Sequence, residues 1–92
     1  MEYVPVYYNE AEKAWCSTKI TLRRDVFLVV KLEKPGKLVI RQEDSRGKMP
    51  RVPIKRHKDT KEFKLRMSVI PRYVNILIFT STKPEEIKYA YI

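Results

Sequence analysis

Short stretches of apolar residues recur along the chain, and almost none of them keeps the spacing of an amphipathic helix beyond two turns. Residues 26–32 are apolar on most of both faces of a strand, and residues 73–80 are apolar on both, so these segments predict buried central strands. β-Branched and aromatic residues predict further strands at 3–8, 16–22, 38–42 and 87–92.

Turn signals separate the predicted strands. Residues 34–37 (KPGK) fit a type II turn, because Pro presets φ and Gly accepts a positive φ. Residues 44–47 (DSRG) and 82–85 (TKPE) predict two more turns. Residues 9–12 (NEAE) have the spacing of a helix cap, which allows one helical turn before the next strand.

Turns at intervals of about ten residues predict one all-β domain over residues 1–92. The expected fold is a small sandwich of seven or eight short strands, with a small β-barrel as the alternative. The spacing resembles that of immunoglobulin-like sandwiches, including Tyr73 near the usual place of the tyrosine corner. The intersheet cysteine pair of that architecture is absent, since Cys16 is the single cysteine.

The net charge of +9 is concentrated in one segment. Residues 46–66 hold nine of the twenty basic residues against two acidic ones, which is +7 of the total. Residues 1–45 and 67–92 each carry a net charge of +1. Clustered positive charge indicates an anionic partner: nucleic acid, an acidic protein surface or anionic lipid.

Residues 58–61 (KDTK) predict a tight turn that closes a basic hairpin over 46–66. In that register Ile54 faces Leu65 on the apolar side, and Lys55 faces Lys64 on the other. Opposed like charges cost up to about 1 kcal/mol per pair, so we hypothesise that bound phosphates compensate them. The predicted phosphate contacts are Arg51, Lys55, Lys64 and Arg66. The predicted supporting cations are Arg46, Lys48, Arg56, Lys58 and Lys61.

The leading expectation is therefore a module that binds nucleic acid largely without reading its sequence. Phe63 is the single aromatic residue of the basic segment, and the predicted register points it inward, away from bases. The plain structural alternative is an edge strand guarded by Lys and Pro against aggregation. A third reading is an inhibitor that docks on a nucleic-acid-binding enzyme.

Tyrosines near the two ends of the chain give a second candidate surface, for protein–protein contact. They are Tyr3, Tyr7, Tyr8, Tyr89 and Tyr91. If the terminal strands are neighbours, these rings can form one aromatic surface. The protein would then be an immunoglobulin-like interaction or structural module, for example in a viral particle or another assembly.

The composition argues against catalysis and against a bound cofactor or metal. Two glycines are too few for a phosphate-cradling loop, and one histidine, His57, with one cysteine, Cys16, cannot make a structural zinc site. The longest apolar run is far shorter than a membrane span, and the N-terminus lacks signal-peptide features. The expected location is the cytoplasm.

Overall fold

Eight β-strands make up the regular structure of the residues that the computed structural model describes, which are 1–50 and 52–92. The strands are β1 (Glu2–Tyr3), β2 (Val6–Asn9), β3 (Ala14–Ser17), β4 (Ile20–Thr21), β5 (Val26–Glu43), β6 (Ile54–Met67), β7 (Asn75–Thr80) and β8 (Pro84–Tyr91). The predicted all-β class is confirmed. Two strands are longer than predicted: β5 has 18 residues and β6 has 14.

Strand β5 lies at the centre and is paired on both sides over most of its length. On one side it pairs with β6, from Val26 opposite Met67 to Ile40 opposite Ile54. On the other side β8 pairs with the first half of β5, and β7 pairs with the second half. Pairing on both sides satisfies the backbone N–H and C=O groups along both edges of β5.

Halfway along β5 the sheet bends around Gly36. A Cβ atom at Gly36 would lie 2.5 Å from Thr82 Oγ1 and 2.9 Å from Ser81 Oγ, closer than atoms tolerate. Two hydrogen bonds stabilise the same contact. The Lys37 N–H donates to Ser81 Oγ at 2.8 Å, and Thr82 Oγ1 donates to the Lys34 carbonyl at 2.7 Å. The missing side chain of Gly36 therefore allows the β7–β8 connection to lie directly on β5.

The predicted type II turn at 34–37 is wrong, because β5 continues through these residues and Gly36 pairs with Thr60 of β6. The register of the pairing shifts on both sides of Gly36. Pro35 has no N–H to contribute to a ladder, and it falls within this irregular stretch. The Pro-Gly pair thus produces a bend in a long strand instead of reversing the chain.

The N-terminal segment joins the two halves of the bent sheet. The Val4 N–H donates to the Ile87 carbonyl of β8 at 2.8 Å, and the next residue, Pro5, accepts from the Thr18 N–H at 3.0 Å. Strand β1 thus extends β8, while β2 extends β3 beyond β7. Hydrogen bonds connect all the described strands into one sheet, curled into an open half-barrel. The predicted immunoglobulin-like sandwich is not confirmed.

The core fills the concave side of the curled sheet. Alternate residues of β5 point into it, and both halves of the strand contribute. Val30 and Ile78 are completely inaccessible to solvent. The buried members of the cluster are Ile20, Leu22, Val26, Leu28, Val30, Leu32, Leu38, Ile40, Phe63, Met67, Ile76, Ile78 and Ile87.

Strands β2 and β3 are joined by a tight turn instead of the helical turn that the sequence allowed. The Asn9 Oδ1 atom accepts the Glu12 N–H at 3.1 Å, as in a helix cap. Lys13 then adopts a φ of 51°, which sends the chain back along β2. The cap prediction identified the right hydrogen bond, but strand pairing ends the turn at once.

Candidate nucleic-acid interface

Strand β6 forms a long free edge of the sheet, because β5 is its only partner among the described strands. The hairpin predicted to close at 58–61 is wrong, since Asp59 and Thr60 lie inside β6. A two-stranded ribbon alone buries little apolar surface. Pairing with β5 instead carries Phe63 and Met67 into the core.

In the observed pairing of β6 with β5, the basic residues have different neighbours from those of the predicted hairpin. Lys55 lies opposite Val39 of β5, and Lys64 lies opposite Val29, so the two lysines do not face each other. The like-charge pair that motivated a phosphate site is therefore absent from the described pairing. What remains is a row of cations along one edge, in which residues two apart, such as Arg56 and Lys58, share a side of the strand and repel each other.

All eight described cations of the basic segment are exposed. They are Arg46, Lys48, Lys55, Arg56, Lys58, Lys61, Lys64 and Arg66, and we call them the basic edge. Arg51, predicted as a phosphate contact, lies outside the described residues. Lys64 bridges to Glu62 at 3.2 Å, and Arg66 lies 3.9 Å from Asp25. Such exposed pairs are weak, so these two cations stay available to a stronger anion.

The loop before β6 is held by Asp44. Its Oδ1 atom accepts the N–H groups of Arg46 and Lys48, both at 2.8 Å, and its carbonyl accepts the Gly47 N–H at 3.1 Å. Gly47 has a φ of 84°, as the predicted turn requires. The hydrogen bond from the Lys48 N–H holds the pKa of Asp44 below its ordinary value. The turn prediction is confirmed, and the turn fixes the backbone that carries two cations.

In the half of the sheet formed by β1, β8 and the first half of β5, the convex side carries two exposed aromatic rings. Phe27 of β5 pairs with Arg66 and is 39% exposed. Tyr3 of β1 pairs with Lys88 of β8 and is 67% exposed. Phe27 is not among the residues predicted to form a site, because the apolar pattern of residues 26–32 predicts a strand buried on both faces. Phe27 alternates with Val26 and Leu28, which face the core, and this alternation was the signal that its ring points to the other side.

The five tyrosines proposed for protein contact fall into two groups. Tyr3, Tyr89 and Tyr91 lie on β1 and β8, with the last two rings 5.7 Å apart. Tyr7 and Tyr8 lie on β2, where Tyr8 contacts the Trp15 ring edge to face at 5.4 Å. Tyr89 and Tyr91 pack against the core, which reduces the surface that they offer to a partner.

The structure does not bring His57 and Cys16 together. His57 is exposed on β6, whereas Cys16 is 2% exposed on β3, beyond β5 and β7 in the sheet. Burial raises the pKa of the Cys16 thiol, which disfavours the reactive thiolate. Within residues 1–50 and 52–92, no helix has the length and apolar character to cross a membrane.

Comparisons of the chain with protein-family models, curated proteins and solved structures gave no match. The functional interpretation therefore depends on the geometry of the basic edge and the convex side of the sheet.

Proposed function

We propose that the protein binds nucleic acid through the phosphate backbone along the basic edge. The observation that carries the proposal is a strand of 14 residues, β6, whose outer edge has no partner among the described strands and which carries exposed, closely spaced cations. Four of these cations have no carboxylate within 4 Å among the described residues. They are Lys55, Arg56, Lys58 and Lys61. These four are the proposed phosphate contacts, in place of the set predicted from the sequence.

Two physical features favour phosphate as the ligand. Cations that share a side of β6, such as Arg56 and Lys58, repel each other in the free protein, and a bound polyanion offsets that repulsion. The outer edge of β6 also presents backbone N–H groups that are not used in pairing. Protein–DNA complexes commonly use backbone N–H groups, together with Lys and Arg, to contact phosphates.

The free edge also supports a second candidate function, the addition of a strand from an acidic protein. An exposed strand edge offers main-chain hydrogen bonds to an extended peptide, and the cations of β6 would select acidic side chains. A strand addition makes many hydrogen bonds that salt does not screen, whereas phosphate contacts weaken steeply as salt rises. A pull-down at high salt therefore separates the two functions.

Protection against aggregation explains the same exposed charges without any ligand. Lys and Pro are common guards of edge strands, and Pro50 and Pro53 precede β6. A guard needs to interrupt edge-to-edge pairing at a few positions. Several cations in succession, continued into the preceding loop by Arg46 and Lys48, exceed that need and favour a ligand.

We expect fluorescence anisotropy at about 50 mM salt to show binding of labelled single-stranded DNA and RNA with little dependence on sequence. Scrambled oligonucleotides of equal length should bind alike, because phosphate contacts carry no sequence information. Polyglutamate of equal charge serves as the control polyanion. Absence of binding at this salt, or tighter binding of polyglutamate, would contradict the proposal.

A further inference from the structure

The exposed rings of Phe27 and Tyr3 lie on the same side of the sheet. Tyr3 is in register with Lys88, which is in register with Val29, which is in register with Lys64. Residues in register across adjacent strands point to the same side. Phe27 lies two positions from Val29 on β5, so it shares that side with Tyr3.

The spacing of the two rings follows from this register. Tyr3 and Phe27 are two strands apart and offset by two residues along the strand. Strands lie about 4.8 Å apart and rise about 3.3 Å per residue, so the two Cα atoms are separated by about 12 Å. That distance leaves room for a base on each ring.

Cations surround both rings. Arg66 lies next to Phe27 in register, and Lys88 Nζ lies 5.8 Å from the centre of the Tyr3 ring. Asp25, two residues before Phe27, lies 3.9 Å from Arg66 and offsets one cation at this end, where Lys64 and Lys88 add two more. The other carboxylates on this side, Glu62 and Glu86, lie opposite Lys31 in the row nearest the bend. Both are engaged by lysines, Glu62 by Lys64 and Glu86 by Lys31 and Lys88. The ring-bearing end of the sheet is therefore the electropositive end.

We infer that this side of the sheet is a stacking platform for the bases of a single-stranded nucleic acid. The inference rests on the proposed function and makes its ligand more specific. Rings presented on a sheet surface stack on bases that are unpaired, and the bases of a duplex already stack on each other. A strand whose phosphates are held by the basic edge can lay its bases past Arg66 and Lys64, across Phe27 and towards Tyr3.

The test compares three ligands of equal length: oligothymidylate, an abasic strand with the same phosphates, and a duplex. Anisotropy is measured for the unaltered protein, for Phe27→Leu, for Tyr3→Ala and for the double variant. Phe27→Leu keeps the apolar contact with the sheet but removes the flat ring. Tyr8→Leu is the matched control, since Tyr8 is 45% exposed on β2 and its register through Trp15 and Thr80 to Leu38 places it on the opposite side of the sheet.

Each ring removed should weaken the binding of oligothymidylate about fivefold, the lower end of the range for base–aromatic stacking, and both together about 25-fold. Binding of the abasic strand and of the duplex should be unchanged, because neither offers unpaired bases to the rings, and Tyr8→Leu should bind like the unaltered protein.

Unchanged oligothymidylate binding by the double variant would overturn the inference, and so would an equal loss for the abasic strand. The proposed function survives either result, provided that the unaltered protein binds strands at low salt. Failure of the unaltered protein to bind any of the three ligands would instead overturn the proposed function, and the inference with it.

Discussion

Replacing Lys55 and Lys58 together by glutamine is expected to weaken the binding of a single strand about fifteenfold at about 0.15 M salt. Each lost phosphate contact on a single strand lowers the salt slope by about 0.7, and two such losses correspond to this factor. Both side chains are exposed and have no carboxylate partner among the described residues, so folding should be unaffected. Anisotropy gives the affinity, and circular dichroism verifies the fold.

The matched control for this variant is Lys13→Gln with Lys19→Gln. It removes the same charge from exposed positions around β3, on the far side of β5 and β7 from β6. We expect its affinity to stay within about twofold of the unaltered protein, because net charge alone acts weakly through screened solvent. Equal losses in both variants would contradict a local site. If the variant with Lys55→Gln and Lys58→Gln keeps its affinity but aggregates, the cations protect the edge of the sheet and do not bind a ligand.

Replacing Gly36 by valine is expected to destabilise the fold by about 3 kcal/mol, the upper part of the usual range for overpacking. The added side chain would occupy space held by Thr82 Oγ1, Ser81 Oγ and Leu32 Cδ1. It would also separate β5 from the β7–β8 connection and strain the hydrogen bond from the Lys37 N–H to Ser81 Oγ. Urea unfolding measures the change, with the slope expected to stay constant.

A double-mutant cycle identifies the cause of that loss. Gly36→Ala should destabilise less than valine, and Thr82→Ala should reduce its cost because the nearest clashing atom, Thr82 Oγ1, is removed. The expected coupling is about 1 kcal/mol between these contacting residues. Additive effects, or a neutral Gly36→Val, would show that close approach at the bend is not what requires glycine.

Local patterns predicted the strands that are central or strongly alternating. Residues 26–32 became the first half of β5, and the alternation of residues 87–92 placed Ile87, Tyr89 and Tyr91 against the core in β8. The turn at 44–47 was also predicted, because an Asp side chain and a Gly with positive φ specify it locally. Each of these features depends on residues close together in the sequence.

The errors arose where partners distant in sequence override local preference. Residues 34–37 and 58–61 both favour turns on their own, yet they lie beside each other in the irregular middle of the β5–β6 pair. There the chain keeps its direction because the segments on both sides are paired. No local pattern shows that two turn-like sequences will be matched in register.

The candidate site was predictable only in part. Exposure of the basic segment follows from its composition, and all eight described cations are exposed. The rings beside it come from strands remote in sequence, since β5 brings Phe27 next to Arg66 and β8 carries β1 with Tyr3. The composition of residues 46–66 alone therefore predicted an exposed basic surface but not the aromatic residues that the fold places beside it.

The most direct test of polyanion binding on the basic edge is the salt dependence of single-strand affinity. For contacts from Lys55, Arg56, Lys58 and Lys61, the logarithm of the association constant should fall against the logarithm of salt concentration with a slope of about −2.8. The Lys55→Gln/Lys58→Gln variant should give about −1.4 on the same strand. A slope near zero, or one that this variant leaves unchanged, would contradict the proposed site.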